Sequence, residues 1–518
     1  MAFQPTFVVV NSAGVDQALV DSWQALAGEA LKRWGAVLAG DAPVTVRLEM
    51  LESTPSGRAQ GGPGSVVTIA TRDGFTVVES SAAAELRAGV NLNGANTDLL
   101  VQVAKPYFLD ELFLDPTPDT SNDIPATKTD ALSVLVHEIG HALGFSGYWQ
   151  QATNTFSFNS KTTYDARLQV VEGKPFFAGP NTLALFGGSV PLTDNNPRHY
   201  GNESKQPSSG DPLAGLMNGV VFFRGARYEI GPLDLAFMAD MGFGTPRDDI
   251  FDQTWISILR GGAGTDLFRG DYSTLTTAIA INAANPAQIA APNNQQLFDI
   301  ERFDLKLGSG ADTFTGGAFA DSVDGGAGND VLIGNGGADI LKGGAGDDQL
   351  NGGDGLDVID GGDGRDTAIY SGVFASFAVS VSNGVWTVRD TRPSGPSEAL
   401  AAVEELKFDD RTLALVNPLP AATATAFANI LQTSFESNFL LANDIADQLK
   451  SGAWTPARAI GEIIKVADAS TSVATLAYQF FTGKIPSAAG LEYLVSPTGP
   501  NANNINSPYY QSFTLENR

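Results

Sequence analysis

Residues 129–145 read Thr129-Asp130-Ala131-Leu132-Ser133-Val134-Leu135-Val136-His137-Glu138-Ile139-Gly140-His141-Ala142-Leu143-Gly144-Phe145. The run is apolar around its polar centre, with Thr129 and Asp130 placed to cap a helix start. His137 and His141 are four apart, so on a helix they lie one turn apart on one face. Both imidazoles then reach a single ion, and Glu138 between them reaches a water on it. Gly144 is expected to end the helix in a left-handed turn.

Composition sets limits around this helix. A chain of 518 residues predicts three or four domains, and 43% hydrophobic residues suffice for real cores. The net charge of −27 argues against a nucleic-acid partner, which needs basic patches. No cysteine is present, which removes disulfides and thiolate-bound metal. Residues 1–11 lack the basic and apolar regions of a secretory leader, and no stretch approaches the length of a membrane span.

Residues 1–246 are expected to form an α+β domain. Residues 6–10, 44–51, 66–70 and 99–103 read as strands. Residues 15–38 read as an amphipathic helix with Leu19, Trp23, Leu26, Ala30 and Trp34 on its apolar face. His137-Glu138-Ile139-Gly140-His141 is the H-E-x-x-H arrangement of zinc peptidases. In that chemistry zinc acidifies a water, and Glu138 is the general base. The extended motif H-E-x-x-H-x-x-G-x-x-H matches at Gly144 but has Gly147 where its last histidine belongs. His199 is the one histidine left, and is the expected third ligand. Asp165, Glu172 and Asp194 are the carboxylate alternatives. Met217, in Gly215-Leu216-Met217-Asn218-Gly219, looks like a Met-turn beneath the metal; alone it would read as core methionine. Tyr200 and Tyr228 are candidates for an oxyanion contact, although packing is the simpler explanation of each.

The region resembles the leishmanolysin-type metzincins, in which an insertion separates the second and third histidines. Thr163-Tyr164-Asp165, Phe176-Phe177-Ala178-Gly179-Pro180, Gly187-Gly188-Ser189-Val190-Pro191-Leu192 and Gly231-Pro232-Leu233-Asp234-Leu235-Ala236 match as well. The likeness covers residues 108–243. It implies a metzincin catalytic domain with zinc on His137, His141 and His199, and Glu138 as catalytic base. The disulfides of the eukaryotic members are missing.

From Leu307 a nine-residue period takes over, as in Gly325-Gly326-Ala327-Gly328-Asn329-Asp330-Val331-Leu332-Ile333. Asp312, Asp321, Asp330, Asp339, Asp348, Asp357 and Asp366 keep one register; Phe314, Val323, Leu332, Leu341, Leu350, Ile359 and Ala368 follow two places on. This is the G-G-x-G-x-D-x-U-x pattern of calcium-binding parallel β-rolls. Glycines permit the tight turns, aspartates supply oxygens to Ca²⁺, and the apolar residue points into a thin core. Without calcium the acidic turns repel, so folding and ion binding are expected to be one event. A disordered Gly-Asp linker would not hold both residue types in register. Gly261-Gly262-Ala263-Gly264-Thr265-Asp266 is an isolated copy, expected to form a separate half-turn. Phe319 and Leu307 replace glycines in the outer copies. Residues 377–382 and 385–389 are expected to close the roll. Val403-Glu404-Glu405-Leu406-Lys407-Phe408-Asp409-Asp410 resembles the cap of RTX proteins such as serralysins.

The chain thus reads as multidomain: a metzincin-like domain over 1–246, an RTX β-roll with capping strands over 247–416, and a mainly helical module over 417–518. Residues 421–449 and 456–481 have helical spacing. Tyr478-Gln479-Phe480-Phe481-Thr482-Gly483-Lys484 with Gly490-Leu491-Glu492-Tyr493 resembles a module of RTX and S-layer-associated bacterial proteins. Residues 507–518 are polar, without the apolar tail of an export signal. RTX likeness implies secretion through an ABC-type exporter and folding outside the cell. The combined expectation is a secreted, calcium-dependent zinc metalloendopeptidase acting on extracellular or S-layer proteins. The alternatives are a calcium-dependent surface-binding protein with a peptidase scaffold, and a protease toxin with host targets.

Overall fold

The computed structural model describes residues 3–468 apart from 73, 203–210, 220–221, 254–255, 257, 393–394, 396 and 432–433. The motifs at 478–484 and 490–493 and the polar end at 507–518 lie outside the described residues. The chain forms two compact units. One holds residues up to 275 with 279–307 and 313–323; the other holds 276–278, 308–312 and the described residues from 324 onward. The division does not fall at residue 246, because roll-like turns already begin inside the first unit.

In the first unit, β1 (Phe3–Asn11), β2 (Ala42–Leu51) and β6 (Leu99–Ala104) run parallel, and β3 (Ala59–Pro63) joins antiparallel at the edge. On β2, Val44, Val46, Leu48 and Met50 alternate inward at the two-residue period of a strand. A second sheet holds β4 (Val66–Arg72) and β5 (Phe75–Ser80) with the short strand Ser160–Thr162. Helix α1 (Gln17–Gly35) starts on Asp16, whose side chain accepts the Ala18 N–H, and buries Val20, Trp23, Leu26, Ala27, Ala30, Leu31 and Trp34. Leu19, expected on that face, is 37% exposed, because the buried stripe runs through Val20 instead.

After α2 (Ser81–Ala88) comes α3 (Ala131–Leu143), the histidine-bearing helix, in which every residue is buried. Asp130 caps it by accepting from the Ser133 N–H and Oγ. Arg227 is buried across the cap and binds Asp130 and Asp115. The Trp34 Nε1–H donates to the Val136 carbonyl at 2.8 Å and locks α1 against α3. Gly144 does not take the expected left-handed turn. Its φ of −173° is extended, and the Phe145 N–H still reaches the Gly140 carbonyl. Helices α4 (Pro180–Phe186) and α5 (Pro232–Asp240) complete the domain. Asp240 accepts from the Asn181 and Thr182 N–H groups and joins the two.

The strands Ile250–Asp252, Leu267–Asp271 and Arg302–Lys306 lie parallel in this unit and bury Phe251, Phe268 and Phe303 in one row. Gly261–Asp266 is therefore not isolated: Thr245 bridges in parallel to Gly262, so residues 244–249 form a preceding turn of the same kind.

The second unit contains the regular roll. Val331–Gly336, Gln349–Asp354, Thr367–Ile369 and Glu405–Lys407 stack in parallel. On the other face Ile340–Ala345, Val358–Asp363 and Ser397–Ala401 do the same. Leu332, Leu350, Ala368 and Leu406, and Leu341, Ile359 and Leu400, fill the thin core. The hairpin Phe377–Ser382/Val385–Asp390 adds antiparallel at the end, where closing strands were expected. In place of one helical run over 421–449 there are two helices, α6 (Ala421–Leu431) and α7 (Phe439–Lys450), and α8 (Pro456–Asp468) follows. Phe427, Ile430, Ala442, Ile445, Ala459 and Ile463 form their shared core. No helix among the described residues is long and apolar enough to cross a membrane.

Candidate metal centre

His137, His141 and His199 meet at one point. Their Nε2 atoms are separated by 3.1 Å (His137–His199), 3.1 Å (His137–His141) and 2.9 Å (His141–His199). Among the described residues they are the one set of three or more His, Asp or Glu side chains whose ligand atoms all lie within 4.8 Å. His137 Nδ1 is 2.8 Å from the Leu216 carbonyl and His141 Nδ1 is 2.6 Å from the Phe145 carbonyl. A carbonyl only accepts, so both Nδ1 atoms carry the proton and both Nε2 atoms present lone pairs. His199 can donate to one of them at most. At least one lone pair therefore faces another at about hydrogen-bond distance, an arrangement that a cation resolves. Burial lowers the pKa of His137 to about 4 and of His141 to about 3, and pushes that of His199 down as well, so neutral imidazoles are the ready form. Three neutral imidazoles suit a borderline dication such as zinc.

Local structure explains how a residue 58 positions from His141 arrives here. His199 lies on the strand Asn196–Tyr200, which pairs with Val190–Thr193 and bridges in parallel to Asn218. The Tyr200 N–H donates to the Met217 carbonyl. Met217 lies under the helix: a Cβ built on Gly140 would be 3.0 Å from its Sδ. Asp234, fully buried, holds this arrangement together. It accepts from the Tyr200 hydroxyl at 2.7 Å, the Gly231 N–H at 2.7 Å, and the Leu216 and Met217 N–H groups.

The carboxylate alternatives are not brought to the histidines. Asp165 is buried and accepts from the backbone of Tyr148, Trp149 and Thr162. Glu172 and Asp194 are exposed in hairpin turns. A Cβ at Gly147 would lie 2.4 Å from Asp165 Oδ1, so the position of the absent histidine has no room for one. The hydroxyls of Tyr200 and Tyr228 face Asp234 and the Phe223 N–H, and neither residue lines the cleft.

Glu138 is buried beside His137, and burial raises its pKa to about 8, opposed by a hydrogen bond from the Gly61 backbone. A dication alongside would lower it again. A cleft of about 440 Å³ opens over these groups, lined by Arg58, Gly61, Tyr107, Glu138, Arg198 and Phe222 among others.

In the roll, the aspartates form ladders. The Asp330 N–H donates to Asp348 Oδ1 at 2.7 Å, Asp348 to Asp366 at 2.8 Å, and Asp339 to Asp357 at 2.9 Å. Asp321 Oδ1 accepts the Phe303 N–H in the first unit. Asp330, Asp348, Asp357 and Asp366 each keep a buried Oδ2 with no donor, as a hard cation requires. Asp312 differs, since its Oδ2 accepts the Gly308 N–H. Burial, helped by neighbouring aspartates, raises Asp330 to about 7 and Asp348 to about 6. The ladders extend to residues outside the expected calcium set. Asp249 donates to Asp266, Asp266 to Glu301 and Asp366 to Glu404. Glu301 and Glu404 break the nine-residue spacing. Each nonetheless sits two places before a buried apolar residue, Phe303 or Leu406, and that was the available signal.

Residues 308–341 and 333–368 match the RTX calcium-binding nonapeptide repeat. Residues 470–518 match the RsaA N-terminal domain, an S-layer domain. No curated protein shows significant similarity to the chain. Calcium-binding repeats and an S-layer domain in one chain are the marks of a calcium-dependent protein of the cell surface.

Proposed function

We propose that this chain is a calcium-dependent zinc endopeptidase that works at the cell surface on S-layer or other extracellular proteins. The observation that carries this reading is the convergence of three imidazole Nε2 atoms beside a buried glutamate in an open cleft. His137, His141 and His199 would hold the ion. When bound, zinc supplies a Lewis acid for the scissile carbonyl and an acidified water. Glu138 accepts a proton from the attacking water and delivers it to the departing amine nitrogen. Gly61 lies against the Glu138 backbone, and its own backbone favours the ionised carboxylate. β3, at the edge of its sheet and lining the cleft, offers backbone groups to an extended peptide.

A second reading has its own support. Both sequence matches concern calcium and the S-layer, which favours a surface-binding protein whose histidine domain is a scaffold. Casein hydrolysis with metal analysis separates the two. The wild type is expected to bind one zinc and to cleave casein in calcium. Glu138→Ala should keep the zinc and lose roughly 10²–10⁴-fold in rate. His199→Ala should lose the zinc. Equal rates for wild type and Glu138→Ala would leave the scaffold reading.

A further inference from the structure

We propose that the cleft selects peptides with acidic side chains beside the scissile bond, and that Arg58 and Arg198 are the selecting groups. This rests on the peptidase reading above and names its substrate class. Carboxylates outnumber cations in this chain, 58 to 31. Its arginines are correspondingly engaged: Arg33 with Glu29 and Glu229, Arg87 with Glu79, Arg167 with Asp252, Arg224 with Glu111, and Arg227 with Asp115 and Asp130. Arg58 and Arg198 are exceptions, as are Arg247 and Arg389, but only Arg58 and Arg198 line the cleft. Both are exposed, and neither guanidinium has an ion pair or hydrogen bond with a described residue. Both line the cleft over the histidines.

They reach it from different elements. Arg58 immediately precedes β3, and Arg198 is on the strand that carries His199. Glu138 is the one carboxylate among the described lining residues, and it is buried on α3. Two guanidiniums without a partner among the described residues, in a cleft whose described lining holds one buried carboxylate, make a local positive field inside an acidic molecule. A guanidinium binds carboxylate bidentately, so each can hold a Glu or Asp of an extended peptide. An adjoining depression shares Arg58 and contains Asp110 and Glu111; Glu111 is paired with Arg224, leaving Asp110 to oppose acidic residues there. Because the molecule as a whole repels anions, the selection is short-range and weakens as salt rises.

The test uses the full chain, loaded with zinc and calcium, and peptides with one scissile bond flanked by Glu, Gln or Lys. At about 0.15 M salt, which screens the repulsion of the whole molecule but not the contact pairs, kcat/KM is expected to be about tenfold higher for Glu than for Lys peptides, falling toward parity in high salt. Arg58→Glu and Arg198→Glu should each reduce or reverse the preference, and Arg198→Lys should preserve it. Zinc content is measured for every variant, and Arg58→Glu decides if Arg198→Glu disturbs the neighbouring ligand. Peptide binding to Glu138→Gln, followed by fluorescence anisotropy, reads selection without hydrolysis. Equal binding of Glu and Lys peptides there overturns the charge selection. Selective binding with no hydrolysis by the wild type overturns the peptidase reading and leaves the selection standing.

Discussion

At Gly61 a missing side chain lets β3 lie against the helix that carries Glu138. A Cβ there would fall 2.0 Å from the Glu138 carbonyl oxygen, so β3 lies against α3 only because this residue is glycine. Gly61→Ala must push the strand away from α3 and disturb the setting of Glu138. We expect a loss of about 1–3 kcal/mol in stability, seen as a lower melting temperature, together with slower casein hydrolysis. An unchanged melt and rate would contradict the contact. Gly147 makes a similar point with the opposite consequence. Asp165 fills the space a third histidine would need, and its oxygens serve three backbone N–H groups. The third nitrogen therefore comes from His199. The histidines and Glu138 were legible from spacing. Gly61 and Asp234 were not, because their roles depend on partners 77 and 17 positions away (138 − 61; 234 − 217).

The roll shows how an element can be legible in outline and not in its ends. A nine-residue period with an inward apolar residue produces one row per face, as the strands confirm. The period cannot reveal Glu301 or Glu404, which enter the ladders after irregular insertions. Asp348 illustrates the division of labour within one carboxylate. Oδ1 accepts the Asp330 N–H, and Oδ2 is buried without a donor. Asp348→Asn keeps an acceptor for the first role and removes the charge needed for the second. The calcium concentration at the folding midpoint is expected to rise roughly tenfold, measured by circular dichroism during calcium titration. An unchanged midpoint would mean that Asp348 is not a ligand.

For the whole molecule, the same carboxylates couple stability to pH and calcium. Asp330 at about 7 and Asp348 at about 6 in the folded, metal-free state lie above the ordinary aspartate value. The folded form then holds more protons than the unfolded one. Their contribution is fully present below about pH 4 and is lost as pH rises through the raised values. Without calcium, protonation should partly replace the ion, so the metal-free roll should be more folded, and any melt higher, at pH 5 than at pH 8. Calcium needs the ionised form, so saturating calcium should invert that order. Melting at both pH values, with the calcium-shifted transition followed, checks the sign; a metal-free roll more stable at pH 8 would refute it.

The residue spacings alone determined the histidine-bearing helix, the glutamate between its two histidines, and the repeating roll with its inward row. These follow from local periods of 3.6, 2 and 9 residues, which a chain carries wherever it folds. Tertiary structure alone decided that the expected His199, and not a carboxylate, meets the other two histidines, which glycine lies against Glu138, and where the aspartate ladders begin and end. It also decided that Arg58 and Arg198 share one cleft. Each of these depends on groups far apart in the chain meeting at van der Waals or hydrogen-bond distance, and no local period encodes such a meeting.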